Sequence, residues 1–133
     1  MLSTGEGSSI MKEENTMPGM YVNLSKLDTQ TRDLLAEKLY AGTVPVFKGE
    51  KGPAIHTYFN EFETLYENGK PLAKKDVTIN MEASTMPVEK IELLAEGLTA
   101  AVHEVLGEDC GCTVVYHANG LDHIAMNGKL LKK

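Results

Sequence analysis

The stretch Leu34-Leu35-Ala36-Glu37-Lys38-Leu39 returns as Leu93-Leu94-Ala95-Glu96-Gly97-Leu98, an offset of 59 residues. Asn68-Gly69-Lys70-Pro71-Leu72 returns at the same offset as Asn127-Gly128-Lys129-Leu130-Leu131. Two separate matches at one spacing mark the chain as two copies of one supersecondary unit. Whatever the fold, it must accommodate that unit twice.

The periodicities say what the unit is. From Gly19 to Ser25, Met20, Val22 and Leu24 alternate with Tyr21, Asn23 and Ser25, the period of a half-buried strand. Asp28 or Thr29 then offers a helix N-cap. Leu34, Leu35, Leu39 and Tyr40 cluster on one face of the helix that follows, and Gly42 offers a stop. Residues 43–53, with Pro45, Gly49, Gly52 and Pro53, read as a loop. Ala54 to Phe62 is rich in aromatic and β-branched residues and reads as a strand. Asn68-Gly69 is a strong hairpin-turn signal.

The second copy keeps the order. Val77, Ile79 and Met81 alternate as a strand. Ser84 or Thr85 is the expected cap of a helix with Pro87 in its first turn. Val88, Ile91, Leu94, Leu98, Val102 and Val105 form its apolar stripe, with Glu89, Glu92 and Glu96 on the wet side. Gly107 ends it, Thr113–Tyr116 is a strand, and Asn127-Gly128 closes a last hairpin. A β-α-β unit needs a right-handed crossover between parallel strands. Used twice, it gives an α+β two-layer sandwich, helices on one face of a mixed sheet. The sheet edges are open, and oligomerisation is the usual way to cover them.

The totals narrow the function. The chain has 133 residues and a net charge of −6. With no basic run, neither nucleic acid nor an anionic membrane surface is an expected partner. No apolar run approaches spanning length. The start has neither the positive charge nor the apolar block of a secretory signal, so the cytoplasm is the expected location. Residues 1–16, rich in Gly, Ser and charge, are expected to be a disordered leader. Cys110 and Cys112 make no disulfide framework. Their one-residue gap is shorter than zinc ligand pairs show, even with His117 and His123 downstream, so no metal and no cofactor are expected. Arg32 is the sole arginine, which limits planar, bidentate capture of an anion.

The duplicated β-α-β unit, Met17-Pro18 opening the first strand, and the segment Asp122-His123-Ile124-Ala125-Met126-Asn127-Gly128-Lys129-Leu130 together resemble the tautomerase superfamily. This is the group of 4-oxalocrotonate tautomerase and macrophage migration inhibitory factor. The closing segment is similar to the family's Gly-His-Phe-Gly-type hairpin. The resemblance covers roughly residues 17–131. It implies one tautomerase-like domain, 17–133, built of units 17–75 and 76–133. It also implies a homotrimer with sites at subunit boundaries and a small-molecule substrate.

The resemblance makes Pro18 the catalytic base of an isomerase. A prolyl amine exists only at a chain start, and burial disfavours its charged form. The neutral amine can move a proton next to a carbonyl, which is keto–enol tautomerisation. The second copy has Val77 at the equivalent position, so at most one unit per chain is catalytic.

Two departures follow. An acylated proline nitrogen has no usable lone pair, so the chemistry requires a start or a cut at Met17. The family's substrate-clamping arginines have no match; Lys26 falls near the first and His56 near the second, with Glu61 near a family acidic position. Lys26, His56, Tyr58, Tyr116 and His123 are the candidate substrate-binding residues. His123 stands beside Asp122, and neighbours on a strand point to opposite faces. His103 is expected on the surface or rim. Two readings stand: an enzyme acting through Pro18, or a non-catalytic trimer that scaffolds or binds a small ligand while Pro18 merely opens a strand.

Overall fold

The computed structural model of the chain describes residues 18–47 and 54–132. Residues 1–17, which include the expected leader, and residues 48–53 of the 43–53 loop lie outside the described residues.

The first unit contains β1 (Gly19–Ser25), α1 (Thr29–Thr43), β2 (His56–Phe62), and the hairpin of β3 (Leu65–Glu67) and β4 (Lys70–Leu72). The second contains β5 (Asp76–Ser84), α2 (Val88–Leu106), β6 (Gly111–Asn119), a 3-10 turn (Leu121–His123), and the hairpin of β7 (Ala125–Met126) and β8 (Lys129–Leu130). Four strands make the main sheet in the order β2-β1-β5-β6. Each unit supplies a parallel pair, β1 with β2 and β5 with β6. The units join antiparallel through β1 and β5. This is the mixed α+β sandwich that the repeat implies.

The register makes the repeat a symmetry. Tyr21 pairs with Asn80, its own equivalent 59 residues on. Met20 pairs with Met81, and Val22 with Ile79. The local two-fold therefore passes between Tyr21 and Asn80.

One face of the sheet is covered. Met20, Val22 and Leu24 alternate inward from β1, and Val77, Ile79, Met81 and Ala83 from β5. They meet Leu35, Leu39, Leu94, Leu98, Ala101 and Val102 of the helices. Each fully buried Leu, Ile, Val or Met contributes about 1.5–3 kcal/mol. The repeat equivalents Leu35 and Leu94 are both buried, as are Leu39 and Leu98, whereas Leu34 and Leu93 are both exposed. The helical stripe is thus narrower than the leucine cluster suggests, and Val88, at the first turn of α2, is also exposed.

Both Asn-Gly hairpins form with positive φ at both central residues: 53° and 83° at Asn68-Gly69, 52° and 84° at Asn127-Gly128. That is the turn whose twist matches its flanking strands.

Four boundaries differ from expectation. Strand β2 begins at His56 rather than Ala54, since its ladder to β1 starts only where Gly19 does. Gly42 does not stop α1, which runs on to Thr43 with Val44 as C-cap. Neither Ser84 nor Thr85 caps α2: Ser84 is the last residue of β5, and Pro87 is the N-cap, without a side-chain cap bond. Strand β6 is longer than Thr113–Tyr116, because β5 offers it nine ladder partners. Asp28 does cap α1, accepting from the Thr31 N–H at 2.8 Å. His103 is half-buried, its ring Nε2 3.0 Å from the Cys110 carbonyl, where it ties α2 to the turn before β6. Among the described residues, no helix is long and apolar enough to cross a membrane.

Candidate active site

Strand β1 is central and antiparallel to β5, so its start lies beside the end of β5. That geometry gathers residues from several segments at the sheet end that Pro18 precedes, although Pro18 itself is not among the residues lining the clefts there. Pro18 is buried, and its carbonyl accepts from the His56 N–H at 3.0 Å. It precedes Gly19, and the two face opposite sides of the sheet by strand alternation. A cleft opens on each side at this end.

The larger cleft, about 780 Å³, lies against the helix layer. Its walls come from the turn after α1 (Pro45, Val46, Phe47), the β5–α2 junction (Ser84 to Pro87) and the segment after β6 (Asn119 to Asp122). Two cations reach it, Lys90 and Lys132. Asp122 is the opposing charge, and its Oδ1 is held by the His123 ring at 2.8 Å. The β5–α2 junction adds a helix start with no side-chain cap.

The smaller cleft, about 300 Å³, lies on the open face of the sheet. Gly19 is its floor. In the ladder Gly19 stands between His56 of β2 and Glu82 of β5, and Glu82 stands next to His117 of β6. One row across the sheet therefore reads His, Gly, Glu, His. The row beside it carries Tyr21 and Tyr58, whose rings stack at 4.8 Å. A Cβ on Gly19 would lie 3.8–3.9 Å from those rings, so the glycine opens the space that they wall. The C-terminal segment Ile124 to Met126 closes the other side.

Glu82 is the electrostatic centre of that row. Its Oε2 is hydrogen-bonded to His117 Nδ1, and its Oε1 accepts from Asn119 Nδ2 at 3.1 Å. The His117 bond, and then the Asn119 bond, hold its carboxyl below the usual carboxylate range, against a partial desolvation that opposes them. Asn119 lines both clefts.

The candidate residues distribute unevenly. His56 and Tyr58 line the smaller cleft together. His123 is exposed and lines neither cleft, but it holds Asp122, which lines the larger. The expected divergence of Asp122 and His123 does not occur, because the segment is a 3-10 turn rather than a strand. Tyr116 packs against the core, and its hydroxyl donates to the Ser84 carbonyl; burial pushes its pKa up to about 12. Lys26 is exposed at the opposite end of β1, roughly 25 Å of strand away from Pro18. Glu61 lies at that far end too, accepting from the Leu27 N–H at 2.9 Å and from Arg32 at 3.1 Å. The one arginine is therefore an internal tie in the protomer. Burial raises the thiol pKa of both Cys110 and Cys112, which leaves neither primed as a nucleophile.

Lys90, Lys132, Glu82 and Asn119 escape the sequence reading, and His117 enters it only as a possible metal ligand. The signal for most of them was strand pairing: the antiparallel step from β1 to β5 places Glu82 beside Gly19 and the β5–α2 junction at the same end, and the parallel step to β6 then brings His117 and Asn119 alongside.

No family model matches the chain, and no curated protein matches it significantly in sequence. Solved structures do match in fold. Pt0534 inactivated by 2-oxo-3-pentynoate superposes with a TM-score of 0.74 at 13% identity, over 86% of this chain and 97% of that one. The R7 fused 4-OT asymmetric trimer gives 0.71 at 18% identity, over 86% and 96%. Leishmania major MIF2 gives 0.69 at 16% identity, over 86% and 97%. The match extends over nearly the whole of each of these chains, so this chain has the tautomerase-superfamily fold in its fused, two-unit form.

Proposed function

We propose that this chain is a tautomerase-like isomerase of a small enolisable carbonyl compound, with Pro18 as its base once residues 1–17 are absent. The observation that carries the reading is the place of Pro18: buried directly before a central strand, at the sheet end where both clefts open, while lining neither of them in the chain as it stands. A secondary amine there is shielded from water, which favours its neutral, proton-accepting form. It would take a proton from carbon beside the carbonyl and return it at the enol position. Lys90 and Lys132 would hold a carboxylate or the developing enolate oxygen as point charges, in place of arginine. Apolar walls from Val46, Phe47, Met86 and Leu121 suit the rest of the molecule. Assembly as a homotrimer would cover the outer edges of β2 and β6, as the R7 fused 4-OT trimer suggests.

A second reading has its own observation. In the full chain the Pro18 nitrogen is an amide, and Arg32 is engaged by Glu61. On that reading the protein is a small-ligand binder or scaffold on the same fold.

The two separate in one experiment. A chain beginning at Pro18 and the full chain are compared for ketonisation of enol phenylpyruvate and for reaction with 2-oxo-3-pentynoate. The amine of Pro18 should add across the triple bond of the inhibitor, its proton passing to the neighbouring carbon. The expected result is activity and one inhibitor equivalent on the first peptide of the Pro18-start chain, with neither in the full chain. Activity that survives Pro18→Ala would sink the proline mechanism, and no activity in either chain would favour the binder.

A further inference from the structure

The amide of Asn119 is committed on one side. Its Nδ2 donates to Glu82 Oε1 at 3.1 Å and to the His117 carbonyl at 3.3 Å. An amide nitrogen has two hydrogens, and both are used. The orientation is fixed chemically, because both partners accept and neither can face the amide oxygen. Glu82 stays ionised, since its pKa is depressed, and its other oxygen is anchored by His117. Among the described residues no donor reaches Asn119 Oδ1. The nitrogen edge is turned toward the row of Glu82 and His117, which leaves the oxygen edge for a ligand at the junction of the two clefts.

We infer that Asn119 is a specificity-determining residue of this site, presenting an acceptor and no donor to the ligand. Glu82, held by His117, is the positioning residue that locks the amide in that sense. Such a group prefers a ligand carrying an O–H or N–H at that point over one carrying only an acceptor. An acceptor-only ligand would set two oxygen lone pairs against each other. The site thereby distinguishes a hydroxyl-bearing form, such as an enol, from its O-alkylated counterpart. The inference rests on the proposed function for which molecule matters, but not for binding itself.

The test is therefore made on the full chain, where Pro18 is acylated and no turnover is needed. The probes are 3-phenyllactate and its O-methyl ether, 2-methoxy-3-phenylpropanoate, titrated calorimetrically at low salt. Both carry a carboxylate for Lys90 and Lys132 and a ring for the apolar wall. The expected preference for the hydroxy acid is about tenfold. Asn119→Leu should bring the two affinities together by weakening the hydroxy acid. Glu82→Ala should bring them together by strengthening the ether, because the freed amide can turn its NH2 to the ligand. A merely structural role for Glu82 predicts equal losses for both probes. Both side chains are partly exposed, so neither change threatens the core. Equal affinities in the unmodified chain, no binding of either probe, or an undiminished preference in Glu82→Ala would each overturn the inference. Loss of tautomerase activity alone would leave it standing.

Discussion

Gly42 and Gly97 meet backbone to backbone. A Cβ on Gly97 would lie 2.6 Å from the Gly42 carbonyl oxygen, and one on Gly42 would lie 2.8 Å from the Gly97 carbonyl oxygen. The helices cross here with no side chain between them. The ion pair of Lys38 with Glu104, at 2.9 Å, lies further along and shows that α1 and α2 run antiparallel. Gly97 lies in the middle of α2 and Gly42 in the last turn of α1, and the contact explains why both are tolerated within helices. Ala is ordinarily better than Gly in a helix interior by about 1 kcal/mol. At these two positions the sign should reverse. Gly97→Ala should destabilise the chain by about 1–3 kcal/mol, the usual cost of overpacking, read as a lower urea midpoint at unchanged slope. A stabilised variant would show that the helices are free to move apart.

That contact also marks the boundary of what the sequence discloses. Strands β1 and β5, the two Asn-Gly turns and the buried pairs Leu35/Leu94 and Leu39/Leu98 follow from period and repeat, because each is a local pattern. Gly42 looks like a stop because glycine usually ends helices, and only its partner across the helix layer gives it another role. Ser84 looks like a cap because serine caps helices, yet its backbone carbonyl is taken by Tyr116 and it stays in the strand. The same distinction applies to the site. Pro18 and His56 come from the resemblance and Tyr58 from its strand, and the three lie at one end of the sheet. Asn119 and Lys90 carry no pattern of their own. They join the clefts only because antiparallel pairing brings the end of β5 to the start of β1.

The far end of β1 should set part of the acid stability. The Leu27 N–H, then the Arg32 charge and hydrogen bond, hold the Glu61 carboxyl below the usual range despite some desolvation. Its folded pKa is below its unfolded value, so the unfolded chain binds the proton first as pH falls. The stabilisation is complete above the ordinary glutamate value of about 4.3 and is lost as pH drops through the folded value. Glu61→Gln should lower the urea midpoint at pH 7 and flatten its decline below about pH 4.3. Parallel pH profiles for the two chains would refute that assignment.

Charge at the larger cleft should act on binding rather than on chemistry. For the Pro18-start chain and a carboxylate substrate, Lys90→Ala and Lys132→Ala should each raise KM roughly threefold to tenfold with little change in kcat. The effect should shrink as salt rises, since both side chains are exposed. Lys26→Ala, at the other end of the strand, tests the subunit boundary. If a neighbouring protomer brings Lys26 to the cleft, KM rises with it; if the protomer alone builds the site, KM is unchanged.

Tyr116 supplies a fold prediction that stands apart from catalysis. Its hydroxyl satisfies the Ser84 carbonyl at the point where β5 gives way to α2, and its ring packs on the core. Tyr116→Phe keeps the ring and leaves that carbonyl without its donor, a loss of about 1 kcal/mol. The alkaline limb carries a second signature. Burial pushes the phenol to about 12, above its ordinary value, so the unfolded chain releases this proton first as pH rises. Stability contributed by the neutral phenol is complete below about pH 10 and is lost as pH climbs toward the folded value. The unmodified chain should therefore lose stability between about pH 10 and 12 more steeply than Tyr116→Phe, followed by denaturation midpoints across that range. Equal slopes would mean that burial does not hold the Tyr116 proton, and that its hydrogen bond to Ser84 does not hold in solution.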